Sequence, residues 1–479
     1  MIGRPGPVVV VGGTLVDREH PSGWRADVVV VDGRVVAVGP NAAREAPSDS
    51  FSLDATGALI FPGLVDIHTH LREPGGEAAE TIESGTNAAA LGGYTTVLAM
   101  PNTAPAIDSA AVVQQVQAIA AKSGRVAVAV AAAITQGRAG ATLAPMAELF
   151  DLGVRVFTDD GAGVQDSRLM RRALEYAGAL RAPDGTRAVL AQHCEDAALF
   201  EGGHMNEGRW SSLLGIPGIP AAAEELMVAR DIALSELTGT PVHFLHLSTA
   251  GSVRLVREAR ARGLAVTAEV APHHLTLSDA CASSFDPVFK VNPPLRSESD
   301  VHAVRAGLAQ GVFSAIATDH APHQPDTKEA PWALAPPGML GLQTAFALLL
   351  RLVDEPLTRH EPGDSGGTGD WDEAQAPAGR VGGIVEVADR ERIGLVDLLA
   401  AMSWGPAAVA GLTAQSAGLI APGAPADLCV FDPHQQWRVD SSSLASRAKN
   451  SPYEAMAMRG QVRHTVCAGS VVVDNGELV

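Results

Sequence analysis

Aromatic residues are scarce in this chain, at 4% of 479 positions, so a large interior has to be filled by Ala, Val and Leu. Basic residues are also few: 35 Lys and Arg stand against 54 Asp and Glu, for a formal charge of −19. That balance argues against a general phosphate-binding surface, which needs concentrated cations, so no nucleic acid is expected as a partner. It leaves room for a small anion, because one arginine in a pocket can bind a carboxylate. The four cysteines, Cys194, Cys281, Cys429 and Cys467, are widely spaced and form no CxxC pair, which indicates neither a disulfide framework nor a thiolate zinc finger. A reducing cytoplasm suits them. No apolar run approaches the roughly 20 residues of a membrane span. The opening "MIGRPGPVVVVGGTLVD" lacks the charged leader, apolar core and cleavage site of an exported chain. The expected setting is therefore cytoplasmic, away from membranes.

Hydrophobic residues make up 46% and charged residues 19%, the balance of a folded globular chain. The length suits a barrel of about 250 to 400 residues with an appended module. Near the start, "PVVVVGGTLVD" and "ADVVVVDGRVVAVGP" read as Val-rich strands with a "DGR" hairpin turn. Near the end, "ADLCVFDP" and "VRHTVCAGSVVVDNGELV" repeat that character with "AGS" and "DNG" turns, so both ends read as parts of one β-module. Between them, apolar runs alternate with Ala-rich helical stretches. Eight strand candidates stand out: "GLVDIHTH", "YTTVLAMPN", "RVAVAVAAAI", "VRVFTDD", "AVLAQHCED", "PVHFLHLS", "LAVTAEVAPHH" and "VFSAIATDH". Helices are expected over "ETIESGTNAAALGG", "LMRRALEYAGAL", "AAEELMVARDIALSEL" and "SVRLVREARARG". The expected fold is an α/β (β/α)8 barrel of the TIM type over 58–413, with a small β-sandwich built from 1–57 and 414–479. The Gly-, Pro- and acid-rich stretch 355–383 is expected to be a surface insertion.

In such a barrel the reactive groups gather at the C-terminal ends of the strands. "FPGLVDIHTHLREPG" places His68 and His70 two residues apart, on one strand face, with Cα atoms about 6 to 7 Å apart, close enough to share a metal ion. A lone HxH pair is weak evidence. Asp159 and Asp160 in "FTDDG", His193 in "AQHCED", His246 in "HFLHLST" and Asp319 in "ATDHAPH" also end predicted strands, and together they suit an N/O-ligand divalent-metal site. Alternation favours Asp160 over Asp159, because Asp160 shares a face with Val154, Val156 and Thr158, whereas Asp159 shares one with Arg155. Between His243 and His246 alternation decides less. His273 and His274, ending the strand in "APHHL", are assigned to structural hydrogen bonding, His320 to supporting Asp319, and Cys194 to packing. "VVVVGGTLVD" fits neither GxGxxG nor GxxxxGK[ST], so no nucleotide cofactor is expected.

The ordered motifs "PGLVDIHTHLREPG", "AMPNT", "FTDDG", "HCED", "HLST", "VNPPLR" and "ATDHAPH" resemble class I dihydroorotases of the cyclic amidohydrolase superfamily, most strongly over residues 60–345. The resemblance implies zinc, one ion or two. His68 and His70 would hold the first and His193 and His246 the second, with Asp160 bridging and Asp319 both ligating the first and exchanging protons. It further implies that Arg72, Asn102 and His323 bind the substrate carboxylate, and that Asn292 and the backbone at Pro337 and Gly338 contact the ring. The implied substrates are N-carbamoyl-L-aspartate and L-dihydroorotate, in pyrimidine synthesis. The implied partner arrangement is a homodimer or association with aspartate carbamoyltransferase. Two alternatives stand beside this reading. An allantoinase or dihydropyrimidinase would act on substrates without that carboxylate, which Arg72 disfavours. A non-catalytic barrel partner would tend to lose metal ligands, which this chain retains.

Overall fold

The computed structural model describes residues 3–353, 382–412 and 418–479. At both ends of the chain, Val-rich alternation forms a single nine-stranded sheet from Val8–Leu15, Trp24–Val31, Arg34–Gly39, Phe51–Asp54, Leu59–Pro62, Leu428–Arg438, Ala457–Cys467, Ser470–Asp474 and Glu477–Leu478. Its tight turns carry two successive positive φ angles, Asp32–Gly33 (49° and 76°) and Asn475–Gly476 (49° and 79°), as the "DGR" and "DNG" signals require. The sheet folds back on itself. A Cβ at Gly469, beyond Ala457–Cys467, would lie 2.4 Å from Gly33 Cα, in the hairpin at the opposite end of the strand order. Val10, Val28, Val30, Ile60, Val430 and Val471 share the enclosed core.

Leu59–Pro62 pairs in parallel with Val8–Leu15 and antiparallel with Leu428–Arg438, joining the two halves of the sheet. The sheet therefore extends past residue 57, where its first part was expected to end. The fully buried "LIFP" run reads equally well as the approach to a barrel strand, which is why sequence placed the division too early.

The barrel strands are β1 (Leu64–Thr69), β2 (Tyr94–Ala99), β3 (Ala127–Val130), β4 (Val156–Thr158), β5 (Val189–Gln192), β6 (Val242–Phe244), β7 (Val266–Val270) and β8 (Ala315–Ile316). They form parallel ladders β1–β2–β3 and β4 through β8. Bridges Ala132–Phe157 and Thr69–His320 close the ring. Strands buried on both faces read as apolar runs, as in β1 and β2. Val65, Leu98, Ala131, Val156, Ala191 and Ala315 meet in one cluster with Ala407 and Ala410, next to or on helix Trp404–Val409, which fills the barrel below its mouth.

The expected helices form at Ile82–Leu91, Ser167–Gly178, Ala222–Thr238 and Ala250–Ala261. Thr81, Asp166 and Thr249 cap three of them through side-chain oxygens. Gly239, at φ 67°, ends the long helix Ala222–Thr238. His273 and His274 lie in a one-turn helix, Pro272–Thr276, instead of in a strand, because Pro272 starts a helix at its N1 position. The insertion expected over 355–383 lies outside the described residues except for its last two positions, as does the boundary at 413/414. Among the described residues no helix is long and apolar enough to cross a membrane.

Candidate metal centre and substrate rim

At the C-terminal mouth of the barrel six side chains converge on one buried volume. His68 Nε2 lies 3.3 Å from Asp160 Oδ1 and 3.6 Å from Asp319 Oδ1. His70 Nε2 lies 3.1 Å from Asp319 Oδ1 and 3.6 Å from Asp160 Oδ2. On the other side of Asp160, His193 Nδ1 and His246 Nε2 stand 3.4 and 3.6 Å from Oδ1 and 3.0 Å from each other. Asp160 is thus the one carboxylate that all four imidazoles face. Asp159 points elsewhere, accepting from Ile134 N at 2.9 Å and Thr135 N at 3.0 Å and from the Thr135 hydroxyl.

This donor set fits a metal. Two ligands each about 2.1 Å from a tetrahedral ion sit about 3.4 Å apart, and the spacings above bracket that value. His68 Nε2 and Asp160 Oδ1 are buried without a hydrogen-bond partner, which is costly unless something else occupies them. His68, Asp160 and His246, and separately His68, His70 and Asp319, each bring three ligand atoms within 4.8 Å of one another.

Electrostatics point the same way. Burial opposes charge on His68, yet Asp160 and Glu269 outweigh it and hold the His68 pKa well above the imidazole range. Burial likewise opposes charge on His193, but Asp160 and Glu195 push it up to about 10. Burial works against ionisation of Asp160 and Asp319 too, and the surrounding histidines reverse it, holding both carboxyls far below their usual range. The cluster is short of positive charge, as a site for a divalent cation would be.

Residues outside the predicted set orient the side chains of the cluster. Glu269, next to last in β7, accepts from His68 Nδ1 at 2.6 Å and meets His243 Nε2 at 3.1 Å. His243 in turn reaches Thr267 Oγ1 at 2.8 Å, so the His243/His246 ambiguity resolves geometrically with His243 outside the ligand cluster. Glu195 holds His193 Nε2 at 2.8 Å, so that Nδ1 faces Asp160. These are carboxylate–histidine pairs that fix ring orientation and basicity. Sequence held a signal for both: an acid inside the apolar run "VTAEV", and "HCE" with alternation placing Glu195 on the face of His193. Below them, Asp66 ties β1 to β8 by accepting from His68 N at 3.0 Å and Thr318 N at 3.1 Å. Arg72, His246 and Asp319 all carry positive φ, at 61°, 29° and 48°. Such strain concentrates where function demands a particular side-chain direction.

The rim residues are placed unequally. Arg72 Nε donates to Pro322 O at 3.2 Å. Burial lowers its pKa, and the nearby Asp319 and Asp160 partly restore it. Asn102 is engaged at both ends, its Oδ1 2.8 Å from His70 Nδ1 and its Nδ2 donating to Asp160 Oδ2 at 3.3 Å, so it orients those two side chains. His323 Nε2 donates to Pro337 O at 2.7 Å, and burial together with Arg72 lowers its pKa to about 3. Its Nδ1 is then an acceptor, which leaves Arg72 as the cation for an incoming carboxylate. Asn292 is half-buried in the loop after β7. His274 holds that loop, donating from Nε2 to Pro293 O at 3.0 Å. Cys194 is buried, and burial raises its thiol pKa, followed by Asp231 and Glu224.

A barrel with this mouth defines a metal-dependent amidohydrolase, and the chain matches the Amidohydrolase family over residues 219–472 and the Dihydro-orotase-like family over 57–252. It is 44% identical over 468 residues to a dihydroorotase from Pelotomaculum thermopropionicum, covering 98% of this chain and 99% of that one. It is also 44% identical over 469 residues to a dihydroorotase from Streptomyces coelicolor, covering 97% and 99%. The chain belongs to the dihydroorotase family and is a hydrolase acting on cyclic amide bonds. Among solved structures, L-hydantoinase from Arthrobacter aurescens superposes with a TM-score of 0.80 at 23% identity, covering 98% of this chain and 97% of that one. Dihydropyrimidinase from Brevibacillus agri superposes with a TM-score of 0.74 at 22% identity, covering 99% and 96%. These two likenesses carry the fold alone.

Proposed function

We propose that this chain interconverts N-carbamoyl-L-aspartate and L-dihydroorotate with zinc as its metal; His68, His70 and Asp319 would hold one ion and His193 and His246 a second, with Asp160 shared between them. A divalent ion held there would lower the pKa of water toward about 7 and polarise a carbonyl oxygen, the assistance that hydrolysis of a stable cyclic amide needs. Arg72 receives the substrate carboxylate with its planar fork and so places the ring amide over Asp319. Asp319 is ionised and buried, with Oδ1 turned to His68 and His70. Oδ2 is the atom that takes the proton of the attacking water and hands it to the ring nitrogen as the C–N bond breaks. In cyclisation the same carboxylate takes the ureido proton and returns it to the departing oxygen. Asn292, Pro337 and Gly338 frame the ring.

The observation that carries this reading is the gathering of His68, His70, Asp160, His193, His246 and Asp319 beside one rim arginine, in a chain 44% identical to dihydroorotases over nearly its whole length. Relatives at that identity outweigh a fold-level likeness to hydantoinase at 23%. Assays of the metal-loaded protein with dihydroorotate, N-carbamoyl-aspartate, allantoin and dihydrouracil test it. Turnover confined to the first two supports the proposal, and turnover of the latter two alone rejects it.

A further inference from the structure

Two strands of the terminal sheet, Leu428–Arg438 and Ala457–Cys467, are joined by residues 439–456, far more chain than a hairpin needs. The excess crosses to the barrel mouth. Leu444 and Ala448 pack on Leu340, and Tyr453 joins the apolar cluster that contains Leu277 and Met339. Ser446 Oγ and Arg447 N both donate to buried Glu80, which also holds His320 Nε2 at 3.2 Å.

At the centre of this strap is Asn450, 6% exposed. Its Oδ1 accepts from His323 N at 3.1 Å, and its Nδ2 donates to Ala321 O at 3.0 Å and Gly338 O at 3.1 Å. Its own carbonyl accepts from Leu340 N at 3.1 Å. One primary amide thus ties together the two ends of the segment 321–338, which carries His323 at one end and Pro337 and Gly338 at the other. No other neutral side chain of that length offers two donors and an acceptor. Gly338 is held from the opposite side as well, its N–H donating to Lys290 O at 2.8 Å.

We propose that Asn450 is a positioning residue for the substrate, through which the terminal β-sheet sets the spacing of His323 and Gly338 at the barrel rim. The inference rests on the functional reading above. Each polar partner of Asn450 lies within residues 321–340, and no metal ligand is among them, so its loss acts on substrate affinity and spares metal binding and proton transfer.

The test is steady-state kinetics of metal-loaded N450A on dihydroorotate, together with metal content and thermal unfolding. Losing one or two net hydrogen bonds at the subsite raises KM about tenfold or more. The proposal expects that rise with kcat within about threefold of wild type and metal content unchanged. N450D keeps the acceptor for His323 N but sets an oxygen against two carbonyls, and it decides the matter by the same criteria if N450A is insoluble. An unchanged KM overturns the proposal, as does a fall in kcat that tracks lost metal. Two variants that both fail to fold make Asn450 a folding residue and also overturn it. Wild-type protein inactive on dihydroorotate would instead reject the functional reading.

Discussion

Replacing Glu269 tests whether the ligand cluster depends on residues that never touch the metal. The side chain is fully buried, 2.6 Å from His68 Nδ1 and 3.1 Å from His243 Nε2, and it also accepts from His246 N at 3.3 Å. Although burial opposes its ionisation, the charge on His68 and the hydrogen bond from His243 hold its pKa down at about 2. In E269Q the amide oxygen still receives the His68 N–H. Its NH2 can donate to His243 Nε2, whose ring keeps a donor for Thr267 Oγ1 on Nδ1. Only the charge is lost, and metal affinity falls about tenfold. In E269A both rings lose their anchor, and the loss approaches a hundredfold, or about 2.7 kcal/mol. The metal-free E269A protein also loses the partner of a buried His68 charge, and His68 limits the cost by giving up its proton. Competition with a chromophoric chelator measures the affinities, and thermal unfolding of the metal-free proteins measures the stability change. Wild-type affinity in E269A would falsify the orienting role.

Arg72→Ala removes the rim cation and, on the proposed function, two charge-assisted hydrogen bonds to the substrate carboxylate, so kcat/KM for dihydroorotate falls by about 10² to 10⁴ while metal content stays at the wild-type value, as elemental analysis checks. Gly338→Ala adds a Cβ 2.7 Å from His323 Nε2 and 2.8 Å from Ala321 Cβ at φ 141°. KM rises with little change in metal content, and an unchanged KM would place Gly338 outside the subsite. Loading metal at pH 7 releases protons. His68 and His193 have raised pKa values in the free protein, the latter about 10, and so are protonated there, whereas ligation requires their neutral lone pairs. Affinity therefore rises with pH until the pH passes those raised values. Calorimetry in buffers of different ionisation enthalpy should count about two protons released, and a count of zero would refute the charge assignment.

The clustering of these side chains is legible because each ends an apolar run, and alternation along "VRVFTDD" separates Asp160, among the histidines, from Asp159, bound to Thr135. The orienting groups were harder to see. An acid inside the apolar run "VTAEV" marks Glu269 as unusual, but its partners His68, His243 and His246 are up to 201 positions away in the chain, so nothing local says what it holds. The sequence reading places Asn102 on the substrate, and its hydrogen bonds to His70 and Asp160 exist only once the closed ring brings the ends of β1, β2 and β4 to one mouth. Asn450 is invisible for a related reason: "AKNSPY" reads as an ordinary loop, and its meaning comes from where the terminal sheet places it. The early boundary at residue 57 reflects the same limit, because a short buried strand does not declare which sheet it will join.

The most direct measurement is a crystal structure of zinc-loaded protein with anomalous data at the zinc edge. Metal density within bonding distance of His68, His70 and Asp319, with Asp160 between it and His193 and His246, is the result this account predicts. Zinc bound elsewhere, or imidazoles of His68 and His70 turned away from it, would contradict the account at its base.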